Sequence, residues 1–192
     1  MNRIIIIIIL LSFQLSSTAQ KKVSVKDIAV SSELGLLNGK SQVNVQMLAT
    51  AGIQKKKYYV GLGSGFDYYG YRTIPVFIEG KKFFGEGSRR PFLYARSGMN
   101  VPWVLTNQQR MTYTPTGREY STFTNGIYVD AGIGYTLYNS KGRGMFAGFG
   151  FCKKTLSESY SDYIWNGTSS TFSKHEAHYN FNNVQLRVGY KF

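Results

Sequence analysis

From about Ser24 onward, apolar residues alternate with small or polar ones, and the alternation breaks at short intervals. Period-two alternation marks strands with one apolar and one polar face. It predicts eight strands: 24–37, 41–53, 57–68, 72–84, 91–103, 126–138, 145–157 and 181–192. In the last of these, Val184, Leu186, Val188, Tyr190 and Phe192 share one face, against Asn183, Gln185, Arg187, Gly189 and Lys191. In 126–138, Ile127, Val129, Ile133 and Leu137 oppose Tyr128, Asp130, Gly132 and Gly134. In 57–68, Tyr58, Val60, Leu62 and Phe66 oppose Tyr59, Gly61, Gly63 and Asp67. Most of these runs exceed the ~5–6 residues usual in soluble strands and match the ~9–11 that a tilted membrane strand needs. No stretch after residue 24 carries an apolar stripe of helical period and length.

The breaks between strands differ in kind. Asn38-Gly39 is the favoured pair for a two-residue hairpin. Asn139 to Gly144 reads as a short glycine-containing link. Two connections, 104–125 and 158–180, are long and polar and are expected to be loops. An even number of strands separates them, so they lie at one end of the structure. Short turns at one end and long loops at the other is the outer-membrane arrangement.

Alternation does not say which face is inside. A soluble lipocalin-like barrel would bury the apolar face around a ligand. The polar face argues for the inverse. It is rich in glycine and carries charges of both signs deep within strands: Glu33, Asp67, Glu79, Arg96, Asp130 and Arg187. A narrow eight-stranded lumen would pair those charges, with glycines making room for the arginines. Arg96, Arg187, Phe77, Glu79 and Tyr128 would then plug it. Aromatics near strand ends (Tyr58, Tyr68, Trp103, Tyr135, Tyr190 and Phe192) suit girdles at two membrane interfaces. The expected fold is all-β: an eight-stranded antiparallel up-and-down transmembrane β-barrel.

Composition agrees. The chain holds 21 Gly, 13 Phe and 15 Tyr beside two Trp and one Cys. Arg3, the apolar run Ile4–Leu11 and the small residues Ser17-Thr18-Ala19 have the layout of a signal peptide cleaved after Ala19. The domains are then a signal peptide, 1–19, and a barrel, 20–192. Cys152, with no partner cysteine and no nearby histidine pattern, reads as a packed strand residue. Without Arg3 the chain keeps 22 basic and 10 acidic residues, a net charge of +12. The export signal and the scattered basic clusters exclude nucleic acid as partner.

The final segment Val184-Gln-Leu-Arg-Val-Gly-Tyr-Lys-Phe192 resembles the C-terminal signature of bacterial outer-membrane barrels. Gly61-Leu-Gly-Ser-Gly-Phe-Asp-Tyr-Tyr69, Ile74-Pro-Val-Phe-Ile78 and Pro91-Phe-Leu-Tyr-Ala95 resemble small outer-membrane barrels of OmpA and OmpX size, common in Bacteroidetes-type bacteria. The resemblance covers most of the chain and implies several things. The last strand closes the barrel. Val184, Leu186, Val188, Tyr190 and Phe192 form an assembly signal read by the barrel assembly machinery. The C-terminus is periplasmic and the long loops are extracellular. The periplasmic rim then gathers Lys21-Lys22, Lys55-Lys56-Lys57, Arg89-Arg90, Lys141 and Arg143. Their simplest role is as solvated turn residues; the functional alternative is attraction to anionic lipid headgroups, worth ~1 kcal/mol each near such a surface.

Candidate chemistry is sparse. His175-Glu176-Ala177-His178 is not a zinc motif, because its histidines are three apart and face opposite sides of a strand. As a lipid A deacylase-like site it would use His178 as base with Ser173 or Glu176. Asn166-Gly-Thr168 is a turn with the form of a sequon, and Gly61, Gly63 and Gly65 lie within a strand, not in a phosphate loop. The expected protein is a non-enzymatic, monomeric outer-membrane barrel with no cofactor and no metal. Its partners are outer-membrane lipids and an extracellular ligand or surface partner met by Tyr113, Tyr120, Phe123, Tyr160, Tyr163 and Trp165. The rival functions are a lipid-modifying enzyme and a soluble ligand-binding barrel.

Overall fold

The computed structural model describes residues 27–40, 42–114, 117–140, 143–165 and 170–192. The expected signal peptide, Lys21-Lys22, Lys141 and Asn166-Gly-Thr168 lie outside them. So do the side chains of Tyr163 and Trp165.

Eleven strands are described: β1 (Ile28–Asn38), β2 (Val43–Lys55), β3 (Tyr58–Asp67), β4 (Thr73–Phe83), β5 (Pro91–Pro102), β6 (Met111–Thr114), β7 (Gly117–Tyr120), β8 (Thr122–Thr124), β9 (Gly126–Ser140), β10 (Arg143–Trp165) and β11 (Ser170–Lys191). The eight long ones, β1–β5 and β9–β11, pair antiparallel with their neighbours in chain order. β11 pairs with both β10 and β1, from Ser31↔Lys191 to Asn38↔Val184, and this closes the sheet. The fold is an eight-stranded antiparallel up-and-down barrel without a free edge along its wall.

The polarity is inverted. Along β1, every second residue from Ala29 to Leu37 is buried and those between are exposed. Leu62, Ile78 and Ile127 are 60–68% exposed, whereas Arg96 is 2% and Glu79 0% exposed. An apolar-interior, lipocalin-like barrel would show the reverse.

Three sequence expectations need correction. First, 158–180 is not a loop. β10 and β11 continue as one ladder through Leu156↔Tyr179 to Trp165↔Ser170, a two-stranded arm standing beyond the barrel. Both faces of the arm are polar or mixed, so it shows no apolar alternation. Backbone pairing makes it strand, with polar and aromatic cross-strand contacts such as Tyr160 on His175. Second, 104–125 is not structureless. It holds a 3-10 turn (Thr106–Gln108), the β6–β7 hairpin and β8, which adds to the arm at Ser157↔Thr124 and Ser159↔Thr122. Third, Asn38-Gly39 is not a two-residue turn. Asn38 is a ladder residue paired with Val43, and the connection runs over 39–42. Gly39 is needed there because a Cβ would strike the Tyr69 hydroxyl and the Asn183 side chain. The tight turn is instead Lys56-Lys57, where Lys56 adopts φ +49°.

Candidate functional site

Inward side chains build the interior in layers. The middle layer is ionic. Glu33 on β1, Glu79 on β4 and Asp130 on β9 face Arg96 on β5, Arg187 on β11 and Lys81 on β4. The Arg96 Nη2 donates to both Glu33 oxygens at 2.7 and 2.6 Å, and its Nε to Glu79 at 2.6 Å. Arg96 also lies 3.3 Å from Asp130. Arg187 donates to Asp130 at 2.6 Å and to Glu33 at 3.2 Å. Lys81 is 3.3 Å from Glu33 and 3.2 Å from Glu79. Three carboxylates thus meet three cations. Cross-strand register places them: Glu79 pairs with Arg96, and Arg96 with Asp130. Burying such charges is tolerable only when each is paired and bonded.

A polar chain leads from this layer towards the long-connection end. Arg187 donates to Gln185 Oε1 at 2.5 Å, Gln185 to Gln46 at 2.6 Å, and Gln46 to Asp67 at 3.0 Å. Lys154 closes it with a 2.8 Å bond to Asp67. Of the six residues expected in the lumen, five form the ionic layer. Asp67 is joined to them only through two glutamines and is neutralised by Lys154. The expected charge network leaves out Lys81, Lys154, Gln46 and Gln185, although Gln185 is placed on the polar face with Arg187. All four share the period-two face of residues it includes.

The glycine face also has a different reason from the expected one. Rings, more than arginines, lie over it. A Cβ on Gly63 would meet the Phe77 ring, one on Gly134 the Phe92 ring, and one on Gly150 the Tyr94 hydroxyl; Gly148, by contrast, faces the Arg187 stem. Phe77 and Tyr128 pack at 5.4 Å between centroids. Cys152 is buried among them as a packing residue.

At the long-connection end an aromatic group lies over the interior. Tyr71 packs against Phe123 at 4.9 Å and Tyr179 at 5.0 Å, and Tyr179 stacks on Phe181 at 6.1 Å. Tyr179 donates to the buried Glu158 at 2.6 Å, and Arg110 reaches the same carboxylate at 3.3 Å. Burial, and then the Glu158 carboxylate, push the Tyr179 phenol above its ordinary range. Further out, Arg110 lies 4.2 Å over Tyr160, which stacks on His175 at 5.5 Å. His178 is apart from this group: it bonds Ser157 Oγ at 2.7 Å on the exposed outer ladder. Ser173 lies on the opposite face of β11 from His178, so the suggested Ser173–His178 pairing does not form. Among the described residues, no group of histidine, cysteine and carboxylate side chains could hold a metal ion.

The wall carries aromatics near both rims. Tyr58, Tyr135, Tyr190 and Phe192 are exposed near the short-turn end. Trp103 packs on Phe66 at 5.5 Å near the other, with Tyr68 half-buried beside Arg72.

These features define a closed barrel with a charged interior and an apolar wall. No protein-family model and no curated protein matches the chain. Several solved structures are similar, two of them as follows. The N-terminal β-barrel domain of Pseudomonas aeruginosa OprF shows 12% identity and a TM-score of 0.45, over 85% of this chain and 97% of that one. Neisserial surface protein A (NspA) shows 12% identity and a TM-score of 0.42, over 85% of this chain and 94% of that one.

Proposed function

We propose that this chain is a non-enzymatic outer-membrane barrel whose lumen is closed to solutes and whose outward arm makes surface contacts. One observation carries the reading: charged side chains fill the inside while Leu, Ile, Val and Phe cover the outside. In water such a wall would aggregate. In a bilayer it is solvated, every wall strand is paired, and the aromatic rims sit at headgroup level. Short basic turns at one end then face the periplasm. The β10–β11 arm, with the β6–β7 hairpin and β8, faces outward. Tyr113 and Tyr120 are exposed there, so a glycan, a lipopolysaccharide layer or a surface partner would meet aromatic and cationic groups. Residues Val184 to Phe192 would serve the barrel assembly machinery.

Outer-membrane fractionation with heat-modifiability on gels tests this. A folded species whose mobility shifts on boiling is expected in the outer-membrane fraction. A soluble periplasmic protein would overturn the reading. The lipid-hydrolase alternative has its own measurement: His178→Ala should leave the lipid A profile of the host unchanged, and a changed acyl count would favour the enzyme.

A further inference from the structure

The interior charges balance in the middle layer but not at the short-turn mouth. A cavity of about 40 Å³ lies there, lined by the cations Lys81, Arg90 and Lys191 and the neutral Ser31, Gln54 and Thr136, over an aromatic floor. Among the described residues, no carboxylate lines it. Lys81 is already engaged by Glu33 and Glu79 on its inner side. Arg90 and Lys191 are therefore surplus positive charge; burial first, and then Arg90 and Lys81, disfavour the Lys191 ammonium.

These cations are held in place. Lys191 Nζ donates to Gln54 Oε1 at 2.8 Å. Arg90 lies 4.4 Å over the Phe83 ring, and the Thr136 N–H fixes its backbone carbonyl at 3.0 Å. The cavity wall is largely apolar, so the favoured place for an anion is its mouth, between these cationic head groups. The volume holds about three waters, which is the size of one compact oxyanion. A guanidinium fork beside an ammonium suits the several oxygens of a phosphate.

We propose that this mouth binds a phosphate group, free or carried by a lipid headgroup, through Arg90 and Lys191 with Lys81 behind them. The headgroup source rests on the outer-membrane reading, in which this mouth meets the phospholipid leaflet. The phosphate site itself does not.

The test uses the full chain refolded in maltoside micelles without lipid, titrated with inorganic phosphate and followed by NMR. Saturable shifts at Gln54, Thr136 and Lys191 are expected. Arg90→Gln should weaken them at least about tenfold, the loss of one charge-assisted contact. Arg89→Gln, on the same turn but outside the cavity, should not change them. Lys191→Gln repeats the measurement from the other side should Arg90→Gln lose its heat-modifiable fold. A second arm dopes the micelles with phosphatidylglycerol. Arg90-dependent shifts there assign the headgroup as ligand, and shifts with inorganic phosphate alone assign the free ion. Non-saturating shifts in both arms, or equal loss in Arg89→Gln and Arg90→Gln, would overturn the site.

Discussion

Arg96 meets three interior carboxylates, as Glu33 meets three interior cations. It bridges Glu33, Glu79 and Asp130 while 2% exposed. Replacing it with Met would leave three buried carboxylates facing two cations. Removing one partner of a buried ion network costs about 3–5 kcal/mol. Arg96→Met is therefore expected to lower the urea midpoint of vesicle-embedded protein by that equivalent, with Arg96→Lys between it and wild type because Lys keeps the charge and loses the fork. A midpoint equal to wild type for Arg96→Met would show that the layer is not ionised as drawn. The same scale explains what the sequence disclosed. Glu33, Glu79, Arg96, Asp130 and Arg187 stand out as charges within apolar alternation. Lys81 and Lys154 do not, because each sits in a Lys-Lys pair whose other member, Lys82 or Lys153, faces outward. Such a pair reads as a solvated rim until the parity of the strand is followed through Glu79 or Cys152.

Elements differ in what writes them into the sequence. The wall strands were legible to within a few residues because one face is apolar, and period two is then unmistakable. Leu62, on the wall of β3 and 68% exposed, marks that face. Leu62→Arg should cost about 2–4 kcal/mol in a bilayer, the range for a cation at the midplane of a barrel wall. An equal change at exposed Thr122 should cost almost nothing. Comparing the two unfolding midpoints in vesicles checks it, and similar small losses would argue against a lipid-facing wall. The outer part of β10–β11 was illegible for the opposite reason. Ser157, Ser159 and Ser161 face His178, Glu176 and Lys174 across the ladder, so the face that is apolar lower down becomes polar. The arm holds itself by backbone pairing, and it should be separable from the barrel. Replacing residues 160–175 with Asn-Gly leaves Ser159 and Glu176, already cross-strand partners, joined by a favoured two-residue turn. The shortened chain is expected to stay heat-modifiable while losing surface contacts. Loss of the gel shift would mean that the arm is needed for folding.

For the whole molecule, closure and conduction are linked through the same side chains. Eight strands enclose little more than the volume their inward residues fill. Here those residues also form one chain of polar contacts along the interior, from Lys81 through Glu33, Arg187, Gln185, Gln46 and Asp67 to Lys154. An ion entering would have to displace paired charges whose neutralisation is complete, and it would regain little hydration among Tyr94, Phe77 and Tyr128. The barrel is therefore expected to show no steady channels in planar bilayers. The informative comparison is Glu33→Ala with Arg187→Ala, which removes one charge of each sign. Overall balance is kept while the contact between the β1 and β11 sides of the plug is cut. That double variant should show brief openings at the same protein density where wild type is silent. Steady ohmic conductance from wild type would contradict the plug. A silent double variant would shift the barrier from the ionic layer to the aromatic group around Tyr71 and Tyr179.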